Sequence, residues 1–293
     1  MIYDIAIIGG GPAGVAAGVY AARKKMKSAI VAESFGGQSL VSADIQNWIG
    51  TKNVSGLELA NMLEEHLRAQ EGIDIFAGDK VLMVKKVDSG FEVGTRDGKV
   101  LQTKALLICS GSRRRRLGVL GEDKYDGKGV AFCSTCDAPL FKDKAVAVVG
   151  GGNAGLEAVV DLLPYASKIY LMEKMDSLRG DAVTQERIKK ESKVQILMGV
   201  ETQEIYGNHF MSGLKYKEVK TGSVKDLSVE GVFVEIGSVP NNDFVKDLVE
   251  INKFGEIAVD PWHMTTSAPG IWAVGDVSDV PYKQNNIAAG DAI

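Results

Sequence analysis

One local pattern is written twice in this chain, about 140 residues apart, and it leaves few folds open. Ile5-Ala6-Ile7-Ile8 is a short apolar run that reads as a buried parallel strand, and it opens into Gly9-Gly10-Gly11-Pro12-Ala13-Gly14. A helix is expected from Ala13 to about Lys25. Pro12 suits its first turn, and Arg23, Lys24 and Lys25 suit its last. Ser28 to Ala32 is the next strand, ending at Glu33, 19 residues beyond Gly14. In the second copy a strand from Lys144 to Val149 enters Gly150-Gly151-Gly152-Asn153-Ala154-Gly155. A helix follows from about Ala154 to Leu163, and a strand from Ile169 to Met172 ends at Glu173, 18 residues beyond Gly155. Gly9, Gly11 and Gly14, and again Gly150, Gly152 and Gly155, match G-x-G-x-x-G. Such glycines let a backbone approach a pyrophosphate at a helix N-terminus, and the acid beyond can accept from a ribose hydroxyl. A lone fingerprint is weak, but strand, helix and acid in register predict a dinucleotide-binding fold in each copy. The chain is therefore expected to be α/β, with two Rossmann-like three-layer domains.

Two such sites call for two nucleotide cofactors, and a flavin with a nicotinamide would make an electron-transfer pair. A place for those electrons lies shortly before the second fingerprint, in Cys133-Ser134-Thr135-Cys136-Asp137. Two cysteines at this spacing can close into a disulfide or open to a dithiol. The competing reading is half of a structural zinc site, which needs about four Cys or His ligands. Only Cys109 and the scattered His66, His209 and His263 remain, so a redox pair is expected and no metal. Cys109 itself sits at the end of an apolar strand and reads as a buried, inert thiol.

With 293 residues, 45% hydrophobic and 25% charged, the chain suits about two domains. A net charge of -4 argues against a general nucleic-acid binder. No apolar run reaches the ~20 residues of a membrane helix, and the N-terminus enters a strand without the features of a signal peptide. With only three cysteines, a cytoplasmic, reducing location is expected. Residues 35–38 and 44–48 read as loop and turn, Leu57 to about Glu71 as an amphipathic helix, and Ile73–Arg96 with Val100–Gln102 as antiparallel strands. Ala105–Ile108 is a buried strand ending at Cys109-Ser110-Gly111, and Arg113–Arg116 reads as a solvated loop. Glu186–Lys193 reads as a helix, followed by a sheet with turns at Gly207-Asn208 and Thr221-Gly222. Val232–Ile236 runs into Gly237, and Gly270–Asp276 is a buried strand closing on Gly275-Asp276.

Taken together, these residues resemble the low-molecular-weight thioredoxin reductases, and more closely the reductase portion of the alkyl hydroperoxide reductase flavoprotein subunit. The likeness rests on Gly9–Gly14, Gly36-Gly37-Gln38, Asn47, Cys133–Asp137, Gly150–Gly155, Ile236–Asn241, Gly275-Asp276 and Tyr282-Lys283-Gln284, nearly the whole chain. It implies a split architecture. The FAD domain would comprise residues 1–116 and 242–293, and an NAD(P) domain with the CxxC, residues 117–241, would be inserted between them. It assigns Gly9, Gly11, Pro12, Ala13, Gly14 and Glu33 to the ADP half of FAD. Gln38 and Asn47 would line the flavin site, Lys283 and Gln284 would lie beside the flavin, Asp276 of Gly275-Asp276 would bond the ribityl–phosphate region, and Gly37 and Gly111 are further cofactor-binding candidates. Gly150, Gly152, Asn153, Ala154, Gly155, Glu173 and Gly237 would hold the nicotinamide cofactor. Members that use NADPH carry a His-Arg-Arg stretch where this chain has Glu173, and a carboxylate repels a 2′-phosphate, so NADH is expected over NADPH. The resemblance puts Cys136 toward the flavin and Cys133 toward the partner's disulfide, with rotation of one domain against the other. Asp137 would be the acid that serves the departing thiolate, although from sequence a helix N-cap fits it nearly as well.

The implied partner is a small thioredoxin-, glutaredoxin- or peroxiredoxin-linked protein, and the implied assembly is a homodimer. The chain departs from the family at Ala138, at Cys109-Ser110 and at Asn285-Asn286. The family's last helix is expected to run on past Ile293, and by this reading the chain is expected to lack the flavoprotein's thioredoxin-like N-terminal module. Two other readings remain open. One is a flavin NADH oxidase or ferredoxin reductase with an incidental CxxC, and the other is a nucleotide-binding protein without catalysis.

Overall fold

The computed structural model describes residues 1–42 and 45–293; Asp44, in the turn expected over 44–48, lies outside the described residues. The chain forms two compact units. Unit one is Met1–Arg113 with Val239–Ile293, and unit two is Arg114–Ser238.

Unit one opens with β1 (Ile2–Gly10), α1 (Pro12–Arg23) and β2 (Ser28–Phe35). A 3-10 turn over Gly37–Val41 leads to α2 (Gly56–Arg68), then β3 (Ile73–Ala77), β4 (Val81–Val87), β5 (Gly90–Thr95), β6 (Val100–Ile108) and β7 (Ser112–Arg114). β3, β2, β1 and β6 run parallel, and β5 and β4 extend the sheet antiparallel from β6. Successive side chains of a strand point to opposite faces. Ile7, Ile30 and Ala32 accordingly pack with α1 and with Leu67 of α2. Ala6, Ile8, Ala29 and Val31 pack with Val84, Phe91 and Val93 of the antiparallel part. Burial on both faces is why these strands are unbroken apolar runs. At the start of α2 the Ser55 hydroxyl accepts from the Glu58 backbone N–H at 3.2 Å, as an N-cap does.

Unit two contains β8 (Val130–Ala131), α3 (Ser134–Asp137), β9 (Ala145–Val149), α4 (Asn153–Leu162), β10 (Lys168–Glu173), α5 (Ala182–Lys189) and β11 (Val194–Met198). Next come β12 (Val200–Gly207), β13 (Met211–Glu218), β14 (Val224–Leu227), β15 (Gly231–Val234) and β16 (Ser238–Pro240). Five parallel strands stand in the order β11-β10-β9-β15-β8, and β12-β13-β14 form a separate antiparallel sheet. The layering of unit one recurs. Val146, Val148, Ile169 and Leu171 face Leu156, Val159 and Leu162 of α4, while Ala147, Met172, Val232 and Val234 meet Ile205, Met211, Leu214 and Tyr216. The helix expected over Glu186–Lys193 forms four residues earlier. Asp181 sets its start, its carboxylate accepting from the Thr184 N–H at 2.8 Å.

The chain then returns to unit one. β17 (Ile271–Ala273) joins the sheet parallel to β6, and a 3-10 turn over Gly275–Val277 and α6 (Asn285–Asp291) close the unit. Both glycine loops thus leave the carboxyl ends of parallel strands, β1 and β9, where doubly wound folds bind ligands.

Candidate active site and its two nucleotide cradles

The first loop joins β1 to α1. A methyl on Gly14 would lie 1.8 Å from the Gly9 carbonyl oxygen, so helix and strand meet only because Gly14 has no side chain. Around Gly11 the same construction meets nothing within 4 Å. Gly11 is also the N-cap of α1, and no side chain caps the helix there. Uncapped backbone donors beside open space suit a pyrophosphate. Pro12 and Ala13 are buried in the first turn. Glu33, near the end of β2, lies in the open, 56% exposed, with Arg96 Nη1 at 3.0 Å and Lys80 Nζ at 3.7 Å.

Both ends of the chain contribute to this cradle. Gln38 Nε2 donates to Asp276 Oδ2 at 2.9 Å and to Ser112 Oγ at 3.3 Å. Asn47 Nδ2 donates to Gln284 Oε1 at 3.2 Å, and Asn286 Nδ2 to the Asn47 carbonyl at 2.6 Å. Lys283 donates to the Ser278 carbonyl and pairs with Glu256 at 3.1 Å. Gly37, Gly111 and Gly275 all have positive φ, at the turns that lead into and out of the cradle. Cys109 is buried beneath the loop, its carbonyl against Gly9, and burial pushes its thiol above the ordinary range.

The second loop repeats the first. A methyl on Gly155 would lie 1.7 Å from the Gly150 oxygen, while the space around Gly152, the uncapped start of α4, is open. Asn153 Oδ1 accepts from the Asp181 N–H at 2.7 Å, Ala154 is exposed, and Gly237 has open space beside it. The acid differs. Glu173 is 4% exposed, its Oε2 accepting from the Gly151 N–H at 2.7 Å and its Oε1 from the Met175 N–H at 2.8 Å. Arg179 Nη2 stands 3.7 Å away, and Lys174 is drawn off to Glu201 at 2.5 Å.

Also in unit two, Cys133 and Cys136 form a disulfide, with Cα atoms 5.3 Å apart. Both are half-buried. Two cradles that fit dinucleotides and one disulfide are the parts of a single chemistry, and the comparison with known proteins agrees. The family model for pyridine nucleotide-disulphide oxidoreductases matches residues 3–292. The chain belongs to this family. An alkyl hydroperoxide reductase subunit of Pseudomonas aeruginosa is 43% identical over 99% of the chain, and an NADH dehydrogenase of Bacillus subtilis is 40% identical over 98%. The chain spans 56% of the length of each. Among solved structures, thioredoxin reductase from Streptococcus pyogenes superposes with a TM-score of 0.91 at 36% identity, covering 99% of this chain and 94% of that one. The α/β architecture with Rossmann-like units and the resemblance to low-molecular-weight thioredoxin reductases are therefore established. With family membership come FAD and a pyridine nucleotide as cofactors.

In this member of the pyridine nucleotide-disulphide oxidoreductases, Asp137 stands at the N-cap position of a 3-10 turn over Ala138–Phe141, but its side chain makes no cap hydrogen bond. Burial pushes its carboxyl up to about 6; Arg114 opposes the shift and Asp126 adds to it. Sequence reasoning missed two further acids. Asp161 on α4 accepts from Ser134 Oγ at 2.8 Å and from Thr135 Oγ1 at 3.2 Å. Glu235, just past β15, is pushed up to about 7 by burial; Arg114 and the Ser134 N–H oppose the shift, and Asp161 and Asp137 add to it. The available signal was an acid inside the apolar run Val232-Phe233-Val234-Glu235-Ile236. The arginine run is not one solvated loop. Arg113 donates to Asn241 Oδ1 at 2.9 Å, and half-buried Arg114 faces Asp137 and Glu235. Arg116 pairs with Asp123 and Asp126 and lies 4.6 Å over the Phe132 ring. Among the described residues no three His, Cys, Asp or Glu side chains group as metal ligands, and no helix is long and apolar enough to cross a membrane.

Proposed function

We propose that the chain is an NADH-dependent disulfide reductase that delivers electrons through the Cys133–Cys136 disulfide to a small thioredoxin-, glutaredoxin- or peroxiredoxin-linked protein in the cytoplasm. The carrying observation is the disulfide itself, held in the same unit as a glycine cradle whose acid is buried. When bound, NADH would supply a hydride and FAD would accept it, passing on two electrons at a time. Unit one holds the flavin through Gly9–Gly14, Glu33, Gln38, Asn47, Asp276 and Gln284. Unit two holds the nicotinamide cofactor through Gly150–Gly155 and Glu173. Cys136 takes the electrons, and Cys133 attacks the partner's disulfide. Asp137, half-buried and poised near neutrality, handles the proton. The buried carboxylate of Glu173 beside the second glycine loop, with Lys174 paired elsewhere, disfavours a 2′-phosphate and favours NADH. Relatives named for alkyl hydroperoxide reduction and for thioredoxin reduction support this reading.

The Cys133→Ser variant should keep its FAD and the bleaching of the flavin by NADH while losing turnover of a protein disulfide; retained turnover refutes the assignment. A second reading draws on the relatives named NADH dehydrogenase, and has electrons pass to an acceptor without the disulfide. Anaerobic titration separates the two: a working disulfide with FAD takes up four electrons, and FAD alone takes two.

A further inference from the structure

The two residues between the cysteines are held by one side chain from another element. Ser134 Oγ donates to Asp161 Oδ2 at 2.8 Å, and Thr135 Oγ1 donates to the same oxygen at 3.2 Å. Asp161 lies in the last turn of α4, whose Leu156, Val159 and Leu162 are fully buried in the core of unit two. The carboxylate therefore stands on a fixed support. A helix C-terminus is the unfavourable end for a negative charge, and the two hydroxyl donors offset that cost.

The turn they belong to, α3, is only four residues long. It closes through the Asp137 N–H to the Cys133 carbonyl at 3.0 Å, and a single helical turn is marginal without outside contacts. While the Cys133–Cys136 bond is intact, the ring fixes the turn. Once the bond opens to two thiols, that covalent restraint is gone, and the side-chain hold on the turn is Asp161. A disulfide can close only while its Cα atoms stay within about 7 Å. Here they are 5.3 Å apart.

We propose that Asp161 is a positioning residue for the redox pair: by holding Ser134 and Thr135 it keeps the two sulfurs of the opened pair together, ready to close again. The proposal deepens the functional reading above and rests on it, because closure matters in turnover only if the disulfide cycles.

Closure removes two electrons and two protons from the dithiol. The Cys133 thiolate bonds to one sulfur of an incoming disulfide. That disulfide breaks, and its other sulfur leaves with the electron pair and takes a proton. Cys136, having given up its own proton, then attacks the Cys133 sulfur. The ring forms, and the first sulfur leaves as the second thiol. This last attack is intramolecular, so it scales with the effective concentration of one cysteine at the other, which the grip of Asp161 raises.

The test uses the full chain with its FAD and without NADH. It is equilibrated anaerobically with glutathione and glutathione disulfide at a series of ratios, quenched in acid and alkylated, and open and closed rings are counted by mass. Asp161→Ala should lower the equilibrium constant for closure about tenfold, the effect of removing two hydrogen bonds. Asp161→Asn keeps an acceptor oxygen in the same place and should stay within about twofold of wild type. If Asp161→Ala does not fold, Ser134→Ala with Thr135→Val removes both donors and carries the same tenfold expectation. An unchanged constant in the folded variant overturns the proposal, and so does a fall in Asp161→Asn as large as that in Asp161→Ala. The functional reading fails by a different result, a wild-type chain that reduces no protein disulfide with NADH; the exchange equilibrium needs no NADH and decides on Asp161 in either case.

Discussion

Glu33 and Glu173 occupy corresponding places in two copies of one layer plan, toward the end of the strand that follows a glycine loop and its helix: Glu173 is the last residue of β10 and Glu33 lies two before the end of β2. Glu33 is open to solvent and shared between Arg96 and Lys80, which flank the antiparallel strands of its unit. Glu173 is buried, and two backbone N–H groups satisfy it, one of them from the glycine loop itself. The folds agree while the acids do different work. In unit one the carboxylate is a surface group free to turn to a ligand. In unit two it is also a clasp that ties the loop to β10.

The comparison can be broken first at the glycines, where the two copies should behave alike. Gly14→Ala and Gly155→Ala each drive a methyl onto a carbonyl oxygen less than 2 Å away. Each should cost about 3 kcal/mol or more in thermal unfolding. The losses of cofactor should differ: Gly14→Ala chain purifies colourless, whereas Gly155→Ala chain keeps its flavin absorbance and is no longer reduced by NADH.

A sharper cut is made at the acids. Removing the charge in Glu173→Gln weakens two charge-assisted backbone bonds in a buried place and should cost about 2 kcal/mol. It should also lower the ratio of kcat/KM for NADH to that for NADPH.

The pH dependence of stability distinguishes the units further. The Glu235 and Asp137 carboxyls of unit two are raised to about 7 and about 6 from ordinary values of 4.5 and 3.8. A raised carboxyl favours the fold while it is protonated. That contribution is complete below about pH 4 and is lost as pH rises through 6 to 7. Glu235→Gln should therefore melt above wild type at pH 8, by on the order of 1–2 kcal/mol, and together with it at pH 4. Equal melting at both pH values would remove the burial argument. The smallest effect is expected at the exposed acid: Glu33→Gln should change stability by less than about 0.5 kcal/mol, because both of its ion pairs lie in solvent.

Both Gly loops, their strands and helices, and the acids at positions 33 and 173 were readable in the sequence because each is a local pattern. Apolar period, glycine, helix and acid fall within about 30 residues of one another. What the acid touches was not readable. Glu173 turns inward to an N–H 22 positions back, a choice made by packing in three dimensions. Glu235 was missed for the same reason, since its neighbours Ser134, Asp137 and Arg114 lie about a hundred residues earlier. The arginine run misled because four like residues in a row suggest one environment, while each guanidinium of Arg113, Arg114 and Arg116 finds a different acid or amide. The shift of α5 shows a legible signal left unread, because Asp181 and Thr184 mark its start.

Cys109 gives this molecule a gauge that needs no engineering. In the native, reduced chain a thiol reagent should count two sulfurs, and the third should register only when the base of the first glycine loop opens. The delay before that third count is a clock for local opening in unit one, and FAD, if the proposed seat over the same loop holds, should slow it in proportion to how tightly it is held.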